Sequence, residues 1–161
     1  TVEEINIGPS EALMPAGSVA ALAGKGLRGD RHFCADGAKP GQALTLIEAE
    51  ALEAVGLTGT QSRRQVVVRG VCLNDLVGKR FTVGDVECVG VELCEPCLHL
   101  QSLTRPGIID DLLHRGGLLA AIKVASQSVV CVMRNISVPA SPSSFSASSP
   151  SGVSPFVGGA F

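Results

Sequence analysis

Residues 81–97 read FTVGDVECVGVELCEPC, and this stretch decides the fold class. Residues 81–83 and 86–91 are short β-prone runs, and Gly84-Asp85 between them is a two-residue turn signal. The stretch therefore predicts a β-hairpin. Its second strand runs directly into Cys94-Glu95-Pro96-Cys97, and residues 98–103 after it have helical character. Upstream, residues 66–71 (VVVRGV) are β-branched and predict a strand, as does the apolar run 118–124 downstream. Helices are few and short. Residues 47–55 predict one, with Thr45-Leu46-Ile47-Glu48 fitting a T-x-x-E capping box and Gly56 placed to end it. Residues 108–114 predict another, stopped by Gly116-Gly117. Short strands with a few short helices predict a mainly β barrel or an α+β domain and argue against a doubly wound sheet.

Composition narrows the function classes. A chain of 161 residues predicts one domain with a core of its own. Five Phe and no Trp or Tyr leave that core to Val, Leu, Ile and Ala, and leave few rings for stacking on nucleic-acid bases. The net charge is −2 with no basic block, so a nucleic-acid partner is not expected. No run of 18 apolar residues occurs, so no membrane-spanning helix is expected. The first residues lack the basic start and apolar core of a secretory signal, and the chain begins at Thr1, which leaves room for a removed leader. The expectation is a cytoplasmic protein, with an organellar one left open.

Every charged residue lies within residues 1–134. Residues 137–161 hold nine Ser, four Pro and three Gly, a composition that predicts a flexible tail. The expected organisation is a domain over 1–134 and a Ser/Pro/Gly-rich tail over 135–161. Of the six cysteines, Cys72 and Cys88 fall in apolar, strand-like segments, as buried free thiols do, and reduced thiols are expected throughout.

Four constellations could carry chemistry. Gly24-Lys25-Gly26-Leu27-Arg28-Gly29 matches G-x-G-x-x-G, but no helical period follows it, so it reads as a glycine-rich surface loop rather than a dinucleotide site. Cys94-Glu95-Pro96-Cys97 places two thiols at the end of a strand, and a thiolate is the species that attacks or ligates a soft metal. Its thioredoxin-like form is set aside because that motif lies near the start of a thioredoxin domain and follows Trp. With His99 it offers three soft ligands within six positions, yet a structural zinc site wants a second pair; His99 reads as a polar face residue. Arg63, Arg64 and Arg69 bracket a strand start and suit either an anionic cofactor or a solvated strand end. Asp30, Arg31 and His32 fit either a pocket lining or a turn with a local ion pair.

Six segments in order resemble the successive blocks of the MOSC domain, the C-terminal domain of molybdenum cofactor sulfurases. They are residues 26–32 (GLRGDRH), 44–52 (LTLIEAEAL), 63–71 (RRQVVVRGV), 73–85 (LNDLVGKRFTVGD), 92–97 (ELCEPC) and 114–118 (HRGGL). The resemblance implies a MOSC-type β-barrel with a few short flanking helices. It makes Cys97, after proline, the defining cysteine: a molybdenum ligand in the reductase branch, a sulfur-holding group in the sulfurase branch. It gives Arg63 a contact with the pterin of molybdenum cofactor, with Arg64 or Arg69 helping to neutralise the phosphate, and puts Glu48, His32 and Asn74 around the pocket. Gln65 stands where the family commonly has Asn. Residues 125–134 lack the family's closing V-G-D turn, so an altered last strand is expected. No pyridoxal-phosphate domain accompanies the resemblance, so sulfur would come from a separate desulfurase, or electrons from a donor protein. A metal-free persulfide on Cys97 and a purely structural module stay open beside cofactor binding.

Overall fold

A computed structural model describes residues 1–10, 12–39, 41–124, 128–131 and 135–139. The chain is mainly β, with one large curled sheet and three short α-helices among the described residues. The strands are β1 (Val2–Ile7), β2 (Met14–Pro15), β3 (Ser18–Leu22), β4 (Gly26–Leu27), β5 (Leu44–Glu48), β6 (Val66–Val68), β7 (Arg80–Val83), β8 (Val86–Leu93), β9 (Leu118–Val124), β10 (Ser128–Cys131) and β11 (Ile136–Ser137). The helices are α1 (Ala49–Val55), α2 (Leu98–Leu103) and α3 (Ile108–Asp111), with a 3-10 turn at Leu73–Leu76. The large sheet runs β11-β7-β8-β9-β5-β6-β1-β2, and a smaller one runs β10-β3-β4.

The β7–β8 hairpin forms where the sequence predicts it. Val83 pairs with Val86 across the Gly84-Asp85 turn, and Gly84 takes the positive φ (60°) that such a tight connection requires. Alternation along β8 buries Val86 and Cys88 and leaves Glu87 and Val89 half-exposed. β5 and β6 pair in parallel, joined through α1, and both faces are covered. Leu44, Leu46, Val66 and Val68 face the main core with Phe81 and Leu118, while Ile47 and Val67 pack against Ala49 and Leu52. Each such Val or Leu contributes about 1.5–3 kcal/mol by leaving water. A further cluster of Ala51, Leu100, Ile108 and Leu112 seats α2 and α3 against α1. That packing fixes the end of α2 that carries Cys97.

Several sequence-based expectations shift. The helix expected over 47–55 starts two residues later, because Thr45–Glu48 extends β5. Thr45 bonds across to Gln65 instead of capping, Glu48 caps with no side-chain bond, and Gly56 ends the helix in the left-handed region as predicted. The strand expected over 66–71 ends at Val68, where Arg69 and Gly70 turn away to meet Thr1 and Glu50. The second helix covers only Ile108–Asp111, since Leu112 and His114 (φ 59°) leave the helical region. The G-x-G-x-x-G segment is not simply a surface loop, since Gly26 and Leu27 form buried β4. Cys88 is buried, but Cys72 is exposed at the start of the 3-10 turn. Within the segment expected as a tail, Ile136–Ser137 pairs with β7; residues 140–161 lie outside the described residues. Of the segment 125–134, Ser128–Cys131 pairs with β3 in the smaller sheet, and the rest lies outside the described residues. No helix among the described residues is long and apolar enough to cross a membrane.

Candidate functional site

The site gathers where the ends of β4, β6 and β8 meet the start of α2. A cavity of about 600 Å³ is lined by Ser10, Arg31, His32, Arg63, Arg64, Cys97, His99, Leu100 and Leu103. A recess of about 240 Å³ adjoins it, sharing Arg31, His32, Arg63 and Arg64 and adding Gln42, Thr45, Cys94 and Leu119. Among the described residues, neither lining contains a carboxylate.

The loop after β4 delivers Arg31 and His32, and a buried polar chain fixes it. Gln65, fully buried, accepts from the Thr45 amide (2.8 Å) and donates to Asp30 Oδ2 (2.7 Å). Asp30 Oδ2 also accepts from the His32 amide (2.8 Å). Arg31 Nη2 donates to the Arg63 carbonyl (2.7 Å), while its buried Nη1 has no partner. Arg63 sits at positive φ (64°) and reaches the Ser10 carbonyl (2.5 Å). Among the described residues, neither guanidinium has a bonded carboxylate. The field shows in His32: burial, then Arg31, then Arg63 and Arg64 push its imidazole below the ordinary value against the opposing pull of Asp30. Its ring is thus neutral at neutral pH. Burial also works against the charge on Arg31, Asp30 supports it, and Arg63 and Arg64 oppose it again. Buried or half-buried cations with an unpaired N–H form a receptor for an anion.

The two cysteines of the motif differ. Cys97 is exposed and belongs to the main cavity. Cys94 is half-buried in the recess; burial raises its thiol above the ordinary value, Arg64 opposes this, and Cys97, Glu92 and Glu95 add to it. Cys94 therefore stays a neutral thiol at neutral pH. Cys34, Cys72, Cys88, Cys94 and Cys97 are free thiols. No cluster of three His, Cys, Asp or Glu among the described residues is arranged to hold a metal ion by itself.

Of the residues singled out from the sequence, Cys97, Arg63, Arg64 and His32 come together. Arg69, Glu48 and Asn74 do not. Arg69 lies at the far end of β6, bonded to Glu3 and Glu53, with Glu50 at 4.0 Å. The residue expected to help neutralise a cofactor is thus a short strand away from Arg63, with three carboxylates around it. Glu48 accepts from the Leu73 amide (2.7 Å), and Asn74 donates to the His114 carbonyl (2.9 Å); both fasten backbone and neither lines the cavity. Arg31 and His32 take the pocket-lining alternative of the two weighed from sequence, while Asp30 lies outside both linings and bonds the His32 amide and Gln65. His99, read as a polar face residue, lines the cavity with Leu100 and Leu103. Their i, i+1, i+4 spacing on a helix was the available signal. Ser10 carried no signal, since its contribution is a backbone carbonyl.

With this geometry in view, the chain has a MOSC-like fold. It is similar to the YuaD protein from Bacillus subtilis, with a TM-score of 0.65 and 15% identity over 81% of this chain and 90% of that one. It is also similar to YiiM from Escherichia coli (TM-score 0.60, 14% identity, 86% of this chain and 69% of that one). A third similar structure is that of a hypothetical protein (TM-score 0.63, 16% identity, 86% and 68%). These identities make the likeness one of fold. No family model and no curated protein matches the sequence.

Proposed function

We propose that the chain binds a phosphate-bearing molybdenum–pterin cofactor in the arginine-lined cavity, with the Cys97 thiolate as the protein ligand to the metal. One observation carries this reading: Arg31, Arg63 and Cys97 line a single cavity with no carboxylate among the described lining residues, and Arg31 keeps a buried, unpaired N–H. The donor set fits the group. Guanidinium forks match phosphate oxygens, and a thiolate is a soft ligand for a metal centre. When bound, the cofactor would supply redox chemistry at molybdenum. Arg31 and Arg63 hold and orient the anionic end. His32, held neutral, takes or gives a proton at an imidazole nitrogen. Leu100 and Leu103 exclude water along one wall. The chemistry would be that of a molybdenum-dependent reductase, with electrons from a separate donor protein.

A second reading rests on the difference between the two thiols. Exposed Cys97 could receive sulfane sulfur from a desulfurase's persulfide, the donor sulfur–sulfur bond breaking as the new one forms. Cys94 would stay protonated nearby; on losing its proton its thiolate would attack Cys97 Sγ, breaking the persulfide sulfur–sulfur bond, releasing hydrosulfide and leaving a Cys94–Cys97 disulfide.

Metal and pterin analysis of protein made in a cofactor-competent host separates the readings. Stoichiometric molybdenum and pterin, lost in Cys97→Ser and kept in Cys94→Ser, is the expected result. No molybdenum, with a labile one-sulfur mass increment on Cys97, would replace it with the carrier reading. Neither signal would make the chain a non-catalytic binding module.

A further inference from the structure

We infer that Arg64 is a positioning residue: its guanidinium straps the cysteine loop to the segment before β9, and the anion is left to Arg31 and Arg63. Arg64 is 8% exposed, and its three nitrogens point at three backbone carbonyls. Nε donates to Gly116 (2.8 Å), Nη2 to Cys94 (3.1 Å) and Nη1 to Ser62 (3.4 Å). One planar fork thus joins the segment before β6, the end of β8 and the turn before β9. Lysine could keep the charge but not this three-way geometry.

Independent contacts close the same seam. The Cys94 amide donates to the Gly117 carbonyl (2.8 Å). Gly116 lies so close to the loop that a Cβ there would meet the Cys94 carbonyl oxygen at 2.5 Å and Pro96 Cδ at 2.9 Å. The next residue, Glu95, holds the His114 amide (2.9 Å). Cys97 follows two residues after Glu95, so the strap sets where its sulfur stands relative to Arg31 and Arg63. Two neighbouring arginines, identical in sequence type, therefore do different work: Arg63 reaches the solvent side at Ser10, whereas Arg64 faces inward.

The inference rests on Cys97 being the reacting thiol, and the experiment reads that separately. The probes are inorganic phosphate for the anion site and iodoacetamide for Cys97, with peptide-resolved mass spectrometry and amide exchange on the full chain. In Arg64→Lys, phosphate affinity should stay within about twofold of wild type, while the Cys97 alkylation rate changes at least about threefold and the Cys94 amide loses about tenfold in protection. Gly116→Ala should give the same pattern through an unrelated atom. Arg63→Gln should do the reverse, weakening phosphate and sparing the Cys94 amide. Should Arg64→Lys fold poorly, wild type still decides: the Cys94 and His114 amides should exchange with similar protection, as one unit. Loss of phosphate in Arg64→Lys equal to that in Arg63→Gln, or independent exchange of the two amides, overturns the assignment. An unreactive Cys97 in wild type would instead sink the functional reading and leave the exchange data to judge the strap.

Discussion

Glu95 grips His114 twice: its carboxylate accepts from the His114 backbone amide at 2.9 Å and pairs with the ring Nδ1 at 2.8 Å. The contact ties the cysteine loop to the turn before β9 from its solvent side, where Arg64 ties it from within. The His114 amide bond holds the Glu95 carboxyl below its ordinary value of 4.5; burial opposes it, and the ring bond and the charge of His114 add to the lowering. A carboxylate lowered on folding stabilises above its unfolded value, and that stabilisation fades as pH falls through the lower folded value. The pair is largely exposed, so the effect on global stability is small. The His114 amide should therefore be protected at pH 6 and lose protection below the ordinary Glu range, and Glu95→Gln should weaken it at both. Equal protection in the variant at pH 6 would sink this account.

The two motif thiols should differ sharply toward an alkylating agent. Burial raises the Cys94 thiol, so little thiolate exists at pH 7.5, while Cys97 is open to solvent. Peptide mapping after brief iodoacetamide treatment should find Cys97 modified at least about tenfold faster than Cys94. Exposed Cys34 and Cys72 will react too, so the comparison must be made peptide by peptide.

Arginines in the same short stretch should separate by function. Arg63→Gln and Arg31→Gln should each weaken binding of inorganic phosphate about tenfold, the loss of one charge-assisted contact. Arg69→Gln should change it less than twofold, because Glu3, Glu50 and Glu53 already surround that guanidinium. Calorimetric titration of the three variants reads this directly.

Gln65 should resist shortening. Its side chain spans from the Thr45 amide to Asp30 with nothing exposed. Gln65→Asn removes one methylene and leaves at least one buried group unpaired, at a cost of about 1–3 kcal/mol in denaturant unfolding. The Asn common at this position in the family resemblance would need a different partner distance. An unchanged midpoint would show that the chain relaxes around it.

Much of the architecture is legible along the chain because it depends on local rules. The β7–β8 hairpin follows from alternating Val and Cys around Gly84-Asp85, and α2 and β9 fall where their apolar runs lie. The first helix was misread at its start because Thr45 and Glu48 satisfy a capping pattern that pairing with β6 overrides. Strand hydrogen bonds to a neighbour twenty residues away leave no trace in a local window.

The sequence by itself determined the β-rich class, the six ordered segments that resemble the MOSC domain, and Cys97 as the thiol to watch. Tertiary structure alone decided which arginines attend it. Arg63, Arg64 and Arg69 are alike as letters, but strand pleat and strand length send one to the cavity, one into three carbonyls and one to a ring of glutamates. A guanidinium's role is set by the acceptors within about 3 Å of it, and those come from segments far away in the chain.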